Sequence, residues 1–309
     1  MSEAIDLSQL APPQIVEMPA FKDLKEQRLA ELQALDPEFN AILESDPAMK
    51  LLEVSVYREM VNIGRFDAGV WAVLLAYAKK SDLDQLGANF DVERLTITPA
   101  NDTTIPPTPA VMESDDSYRH RIQLSWYARN TAGSIEAYRY FALSADSAVL
   151  DAVPYGPQEW TGTVPDGHVW VYVLSNTGDG TPDQVLLDTV NSALNAEFVR
   201  PLTDYVTVKS PIITNYQITA TLKVGNGPDA ETVKQAAQDA AQRYVDSVHR
   251  VGAIVSLAGI YQALKQPGVN DVVLTSPTAT ITPGNGSVAY CMAITLTVDQ
   301  SDGLTRYDI

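Results

Sequence analysis

Apolar residues along this chain change their spacing several times, and each change marks an element. From Phe21 to Leu35 they recur as Leu24, Leu29, Leu32 and Leu35, a helical spacing that ends at Asp36-Pro37. A short helix is expected from Glu38 to Glu44, stopped by Asp46-Pro47, where the aspartate caps and the proline opens the next helix. That next helix is expected to be the longest. No proline occurs from Ala48 to Thr98, and Leu52, Val56, Met60, Ile63, Val70, Val73 and Tyr77 form one stripe over several turns. Near Trp71, Val73, Leu74 and Leu75 two faces are apolar, which suits a helix with more than one neighbour. Neighbours within the chain and a bundle shared between subunits both satisfy the pattern. Lys79-Lys80 suit a helix C-terminus, and Ser81-Asp82 cap a further turn, Leu83 to Leu86, closed by Gly87.

Residues 88–112 lose this periodicity. Arg94-Leu-Thr-Ile-Thr reads as a short strand, and Pro99, Pro106, Pro107 and Pro109 make an exposed loop. Ser114, Asp115 and Asp116 then start a helix carrying Tyr118, Ile122 and Leu124. Ser134 with Glu136 starts another, with Ile135, Tyr138, Phe141 and Ala142 at helical spacing. Beyond Val149 the period of two dominates. Strands are expected from Val149 and Val153, at 168–174, 205–209, 216–224, 269–275 and 289–298. Helices are expected at 182–198, 230–249 and 256–265. Strand, Gly-x-Gly turn, Pro-Asp and helix occur at 169–198 and again at 216–248. Helix followed by Val-x-Asp-x-Val occurs at 134–153 and again at 255–273. The pattern is an internal repeat whose halves are in swapped order.

These elements predict an α+β chain: a helical N-terminal region, then two small α+β domains with mixed sheets. The expected divisions are an extended arm at 1–20, a helical region at 21–90, a middle domain at 91–210 and a C-terminal domain at 211–309. The arm is punctuated by Pro12, Pro13 and Pro19, and carries Leu7, Leu10, Ile15 and Val16.

Composition narrows the function more than the fold. The 309 residues carry 39 acidic and 21 basic side chains, a formal charge of −18, which repels phosphate backbones and argues against nucleic-acid binding. Met-Ser-Glu-Ala-Ile-Asp lacks a signal-peptide pattern, and the uncharged apolar run Ala68–Ala78 is too short to span a bilayer, so no membrane anchor is expected. The single cysteine, Cys291, lies in an apolar strand and reads as a small core residue.

The chemistry sought is not found. There is no Walker loop, no dinucleotide-binding Gly-x-Gly-x-x-Gly and no Gly-x-Ser-x-Gly. His120, His168 and His249 have no partners at metal-ligand spacing, and Ser175-Asn-Thr-Gly-Asp-Gly lacks the acids of a calcium loop. Asp115-Asp116 reads as helix-start capping before it reads as an acid–base pair. Trp126-Tyr127 and Tyr138, Tyr140 and Phe141 read as core packing before they read as a sugar platform.

Four places carry a family resemblance. They are Arg65-Phe-Asp-Ala-Gly with Leu74-Leu-Ala-Tyr-Ala and Leu83-Asp-Gln-Leu-Gly-Ala; Glu113 to Pro157, with Ser117-Tyr-Arg-His-Arg-Ile and Ala132-Gly-Ser-Ile-Glu-Ala-Tyr-Arg; Arg200-Pro-Leu-Thr-Asp-Tyr-Val; and Gly252 to Pro277, with Gly268-Val-Asn-Asp-Val. In order and spacing they resemble baseplate J-like proteins, wedge components of contractile phage tails and phage-tail-like bacteriocins. The resemblance implies a structural protein, not an enzyme, with no catalytic, metal or cofactor residues to carry over. It implies a second copy of itself and a smaller wedge protein as partners in a shared helical bundle. Neighbouring wedges, hub and sheath proteins complete a ring that rearranges on contraction. The stripe Leu52, Val56, Met60, Ile63, Val70, Val73 and Tyr77 is then the expected subunit interface. The expected location is the particle, assembled in the bacterial cytoplasm. Two rival functions are a peripheral tail module binding fibres or a host glycan, and an acidic hydrolase using Asp115, Asp116 and Asp179.

Overall fold

The computed structural model describes residues 5–13, 16–38, 44, 46–129, 133–225 and 229–300. By its internal contacts the chain divides into two units, one of residues 1–94 with 114–123, the other of 95–113 with 124–309. The fold is α+β with mixed sheets, as its periodicities predict.

The first unit is helical. It holds α1 (Phe21–Leu35), α2 (Pro47–Ala72), α3 (Lys80–Ala88) and most of α4 (Asp115–Leu124). The Asp46 carboxylate accepts from the Ala48 amide at 2.8 Å, and Pro47 occupies the first turn, so α2 starts where capping chemistry puts it. The short helix expected at 38–44 falls largely on residues outside those described. α2 is the longest helix but stops at Ala72, before Val73 and Tyr77. The backbone closes there into turns, with the Tyr77 and Ala78 amides both donating to the Leu74 carbonyl at 2.9 and 2.8 Å. Arg119 of α4 donates to the Leu75 and Ala78 carbonyls at 2.7 and 2.8 Å, taking acceptors that a continuing helix would use. Trp71 and Tyr77 pack ring on ring, 4.8 Å between centroids.

α3 is longer than its expected single turn, and Gly87 lies inside it. A Cβ there would stand 1.9 Å from the Tyr118 hydroxyl, so this glycine serves close approach by Tyr118, not helix termination. The Tyr118 hydroxyl reaches the Val92 carbonyl at 2.6 Å, and Tyr118, Ile122 and Leu124 are all buried, as their spacing predicts.

The second unit begins with a hairpin, β1 (Thr96–Thr98) paired antiparallel with β2 (Val111–Met112), where sequence predicts only a strand and a loop. A middle lobe follows: α5 (Ile135–Ala145), β3 (Val149–Tyr155), β4 (His168–Ser175), α6 (Gln184–Leu194) and β5 (Tyr205–Lys209). The C-terminal lobe holds β6 (Ile212–Val224), α7 (Ala230–Val248), α8 (Leu257–Leu264), β7 (Val269–Ser276) and β8 (Ser287–Asp299). Ser134, Asp183, Asp229 and Ser256 cap α5, α6, α7 and α8 through side-chain oxygens.

The two sheets share one plan. In the first, β4 is central, with β3 antiparallel on one side and β5 parallel on the other. In the second, β6 is central, with β7 antiparallel and β8 parallel. β4 with α6 corresponds to β6 with α7, and α5 with β3 corresponds to α8 with β7. The swapped repeat read from sequence is therefore one sheet-and-helix plan with its first two blocks exchanged and the parallel edge strand, β5 or β8, last in both lobes. Each lobe buries its helices on its own sheet: Tyr138, Ala142, Val190 and Leu194 against Val171 and Val173 in one, Ala237, Ala241, Ile260 and Leu264 against Ile218 and Leu222 in the other.

Candidate functional site

α2 is where the predicted interface residues fall. Charge pairs align it with α1. The Arg28 guanidinium grips both oxygens of Glu59 at 2.7 Å, and Lys25 meets Glu53 at 2.9 Å and Glu44 at 3.2 Å. The Lys25 hydrogen bond holds the Glu53 carboxyl below its ordinary range, and Arg28 does the same for Glu31. The Lys25–Glu53 and Arg28–Glu59 pairs, between partly buried side chains, set the register of the two helices. The apolar contact is thin, since Leu24 is the buried residue of α1, and Met49 and Val56 those of α2. A helix of 26 residues draws its stability from packing an apolar face, and among the described residues only Met49 and Val56 of α2 are buried.

The predicted stripe divides. Val56 is fully buried inside the chain. Leu52, Met60, Ile63 and Val70 lie on the same side of α2 and are half-buried. Val73 and Tyr77 lie past the helix end; Val73 is exposed, while Tyr77 is half-buried with its hydroxyl donating to the Leu10 carbonyl at 2.6 Å. Leu51, Val54 and Tyr57 run along another side of α2, exposed by 73, 56 and 62%; Phe66, nine residues on and half a turn round from Tyr57, is 62% exposed at the edge of the stripe. These four were absent from the predicted set. Their signal is the step of three through Leu51, Val54 and Tyr57, which the longer stripe beside it outweighed.

The acids considered for catalysis are occupied by structure. Both oxygens of Asp115 accept from the Lys80 amide, at 3.2 and 3.3 Å, and one also meets Arg94 at 2.8 Å. Burial pushes Asp115 upward, but the Lys80 amide and Arg94 outweigh it and hold the carboxyl below its ordinary range. Asp116 pairs with Arg119 at 2.7 Å. Asp179 accepts from the Thr181 amide at 3.0 Å, which lowers its pKa, and the Ser175 amide donates to the Gly180 carbonyl at 2.8 Å to close the turn. His168 packs on Tyr205, and His249 lies 3.3 Å from the Ala289 carbonyl. Cys291, expected to be a small core residue, is instead half-buried on β8, packed against the C-terminal core, and that partial burial raises its thiol. Among the described residues no group of His, Cys, Asp and Glu is placed to hold a metal, and no helix is long and apolar enough to cross a membrane.

The aromatic residues of the middle lobe serve as packing. Tyr138 is buried and its hydroxyl donates to Asp204 at 2.6 Å; burial and that carboxylate together raise the phenol well above its usual range. Arg200 donates to the Asp204 carbonyl at 3.2 Å, so the Arg200-Pro-Leu-Thr-Asp motif is a loop stapled to α5 of its own lobe. Tyr155, Trp160 and Tyr172 pack edge on or tilted at 5.5 to 5.9 Å, within a cluster that reaches Val251 and Val288 of the C-terminal lobe. Asp151, 2% exposed, joins the same seam: it takes the Arg139 guanidinium at 2.7 Å and the Val251 amide at 3.0 Å. What the site offers is an exposed apolar helix face in one unit and a tightly tied pair of lobes in the other.

Comparison with known proteins agrees with this reading. Residues 44–101 match the Baseplate J-like N-terminal domain, 130–210 the Baseplate J-like central domain, and 216–297 the Baseplate J-like protein C-terminal domain. The chain is 41% identical over 305 residues to Baseplate protein J of Escherichia phage P2, covering 96% of this chain and 99% of that one. A weaker likeness is to the baseplate of the anti-feeding prophage, solved by cryo-EM and six-fold symmetrised. It has a TM-score of 0.41 and 17% identity over 60% of this chain and 42% of that one. The sequence motifs, the three domain matches in order and the near-complete relative agree: this chain belongs to the baseplate J-like protein family.

Proposed function

We propose that this chain is a structural wedge protein of a contractile-tail baseplate. Two copies and one smaller tail protein share a helical bundle. The wedges join as a ring around the tail hub and couple its rearrangement to sheath contraction. The observation that carries the bundle is the exposed side of α2. Leu51, Val54 and Tyr57 stand in water there, on a helix whose buried residues are Met49 and Val56. Burying such a side chain is worth about 1.5–3 kcal/mol. We place the bundle seam on these residues with Val73, flanked by the half-buried Leu52, Met60, Ile63, Val70 and Tyr77. Val56 supports the helix pair from within.

The role is structural and needs no cofactor. In the proposed division of labour residues 21–90 make the bundle, and residues 91–210 and 211–309 form the lobes that face neighbouring wedges, hub and sheath. The chain works in the tail particle, after assembly in the bacterial cytoplasm. The 41% identity to a baseplate protein across nearly the whole chain supports this reading.

Light scattering on the chain, purified alone and after co-expression with the products of adjacent genes, tests it. A stable complex of two copies with one smaller chain is expected. Leu51→Asp with Val54→Asp is expected to abolish that complex and leave the helical content unchanged. A monomer that ignores every neighbour, or a complex indifferent to the double variant, overturns the bundle.

A further inference from the structure

The hairpin ahead of α4 is ordered yet has no core. Asn101 and Thr108 exchange two backbone hydrogen bonds at 2.9 Å, beyond the β1–β2 pair. At the base, the Glu113 amide donates to the Leu95 carbonyl at 2.8 Å, and the Leu95 amide to the Glu113 carboxylate at 3.2 Å. At the tip, the Asn101 side chain accepts from the Thr103 amide and hydroxyl at 3.0 and 2.6 Å, and the Thr104 hydroxyl lies 2.9 Å from that of Thr108. Nevertheless every residue from Thr96 to Met112 is exposed. An isolated two-stranded hairpin is marginal in water, and it needs a surface to pack on. This one presents Ile97, Ile105, Val111 and Met112 outward, Ile105 completely.

Charge identifies the surface. From Thr96 to Met112 the only ionisable side chain is Asp102, in a chain with 39 acidic residues and a charge of −18. Copies of so acidic a chain repel wherever their acids face each other, and uncharged surfaces are places where copies meet without that repulsion. The same unit carries a second one. An open cleft of about 580 Å³ beside β6 and the end of β7 is lined by Asn215, Gln217, Pro277, Thr278, Ile281 and Met292 among others, with no charged residue in its lining. Met292 is 60% exposed at its rim. The hairpin brings Ile105, fully exposed, and the cleft is lined by Asn215, Gln217 and Thr278 together with the apolar Ile281 and Met292. A depleted charge with an apolar centre is the composition of an interface core.

We propose that the 96–112 hairpin of one copy seats in the neutral cleft of the next, with Ile105 as its anchor. Such a contact is head-to-tail, the kind that closes rings when the rotation fits. It rests on the ring reading above and names the surfaces that would join neighbouring wedges, separate from the α2 bundle.

Single-cysteine chains test it in the full-length protein. In a Cys291→Ser background, Ile105→Cys and Thr278→Cys are made in separate copies and mixed under mild oxidation. A disulfide-linked pair is expected from the mixture and not from either variant alone. Ile105→Asp is expected to weaken association between wedges about tenfold or more, the loss typical of a central interface residue. It should leave the melting temperature and any two-copy complex with the smaller chain unchanged. An absent cross-link in the mixture, capture of the smaller chain by the Ile105→Cys copy, or wedge association that survives Ile105→Asp overturns the proposal. Failure of the bundle instead shows as loss of the smaller chain from the unsubstituted protein, with copy-to-copy cross-linking retained.

Discussion

Asp151 and Asp271 occupy matching places in the two copies of the Val-x-Asp-x-Val pattern, and the structure uses them differently. Asp151 is buried between Arg139 and the Val251 amide, whereas Asp271 is exposed, 3.8 Å from Lys223. Removing Asp151 strands a buried donor, which costs about 1–3 kcal/mol. Removing Asp271 takes away a weak surface pair. Paired thermal melts are expected to show Asp151→Ala destabilised by that amount, and Asp271→Ala within about 0.5 kcal/mol of the parent. Gly87 offers a second residue-scale test. Its absent Cβ leaves room for the Tyr118 hydroxyl, and an added methyl would also stand 2.9 Å from the Val92 carbonyl that the hydroxyl bonds. Gly87→Ala is expected to cost about 1–3 kcal/mol in denaturant unfolding, although alanine is the better helix former. A neutral or stabilising result would mean that Tyr118 moves without loss.

At the scale of elements, α2 separates stability from assembly. Val56 is fully buried and Leu51 and Val54 are exposed, so aspartate at each has opposite meanings. Val56→Asp buries a charge at a cost of several kcal/mol and is expected to melt the helix pair, seen as lost ellipticity at 222 nm. Leu51→Asp with Val54→Asp should leave the isolated chain's melt unchanged. Acid acts on the same unit. Asp115, Glu53 and Glu31 all have folded pKa values below their ordinary 3.8, 4.5 and 4.5. Their contribution is complete above those ordinary values and disappears as pH falls through the lower, folded ones. Melting temperature is therefore expected to hold from pH 7 down to about 5 and to drop below about 4. The drop should be shallower in Asp115→Asn, which begins from a lower stability at neutral pH.

For the whole molecule the governing quantity is charge. A chain at −18 meets its copies against a repulsive field, which salt screens over about 8–10 Å. If copies meet through neutral surfaces, association strengthens as salt rises from about 50 to 500 mM, where the Debye length falls below that range. Sedimentation velocity across that series checks it, and dissociation by salt would instead show an interface built on ion pairs.

Much of the architecture was legible because it is periodic. α1 and β5 stand within their expected bounds, α5 begins at the Ser134 cap that sequence marks, and α6, α7 and α8 begin within two residues of their expected starts. The swapped repeat was legible because turn chemistry recurs with the elements it joins. The end of α2 was not, since Arg119, more than forty residues away, takes the carbonyls that would continue the helix. The hairpin was missed because Val111-Met112 is too short for a period of two and prolines crowd the connection. On its own, then, the sequence determined the element types, their capping and the absence of a recognisable catalytic motif, because these depend on local spacing and residue chemistry. Only the tertiary structure decided which side of α2 stays in water, which aspartate of the repeat is buried, and that a nearly uncharged hairpin stands without a core. Those are outcomes of packing between residues far apart in the chain, which no local pattern encodes.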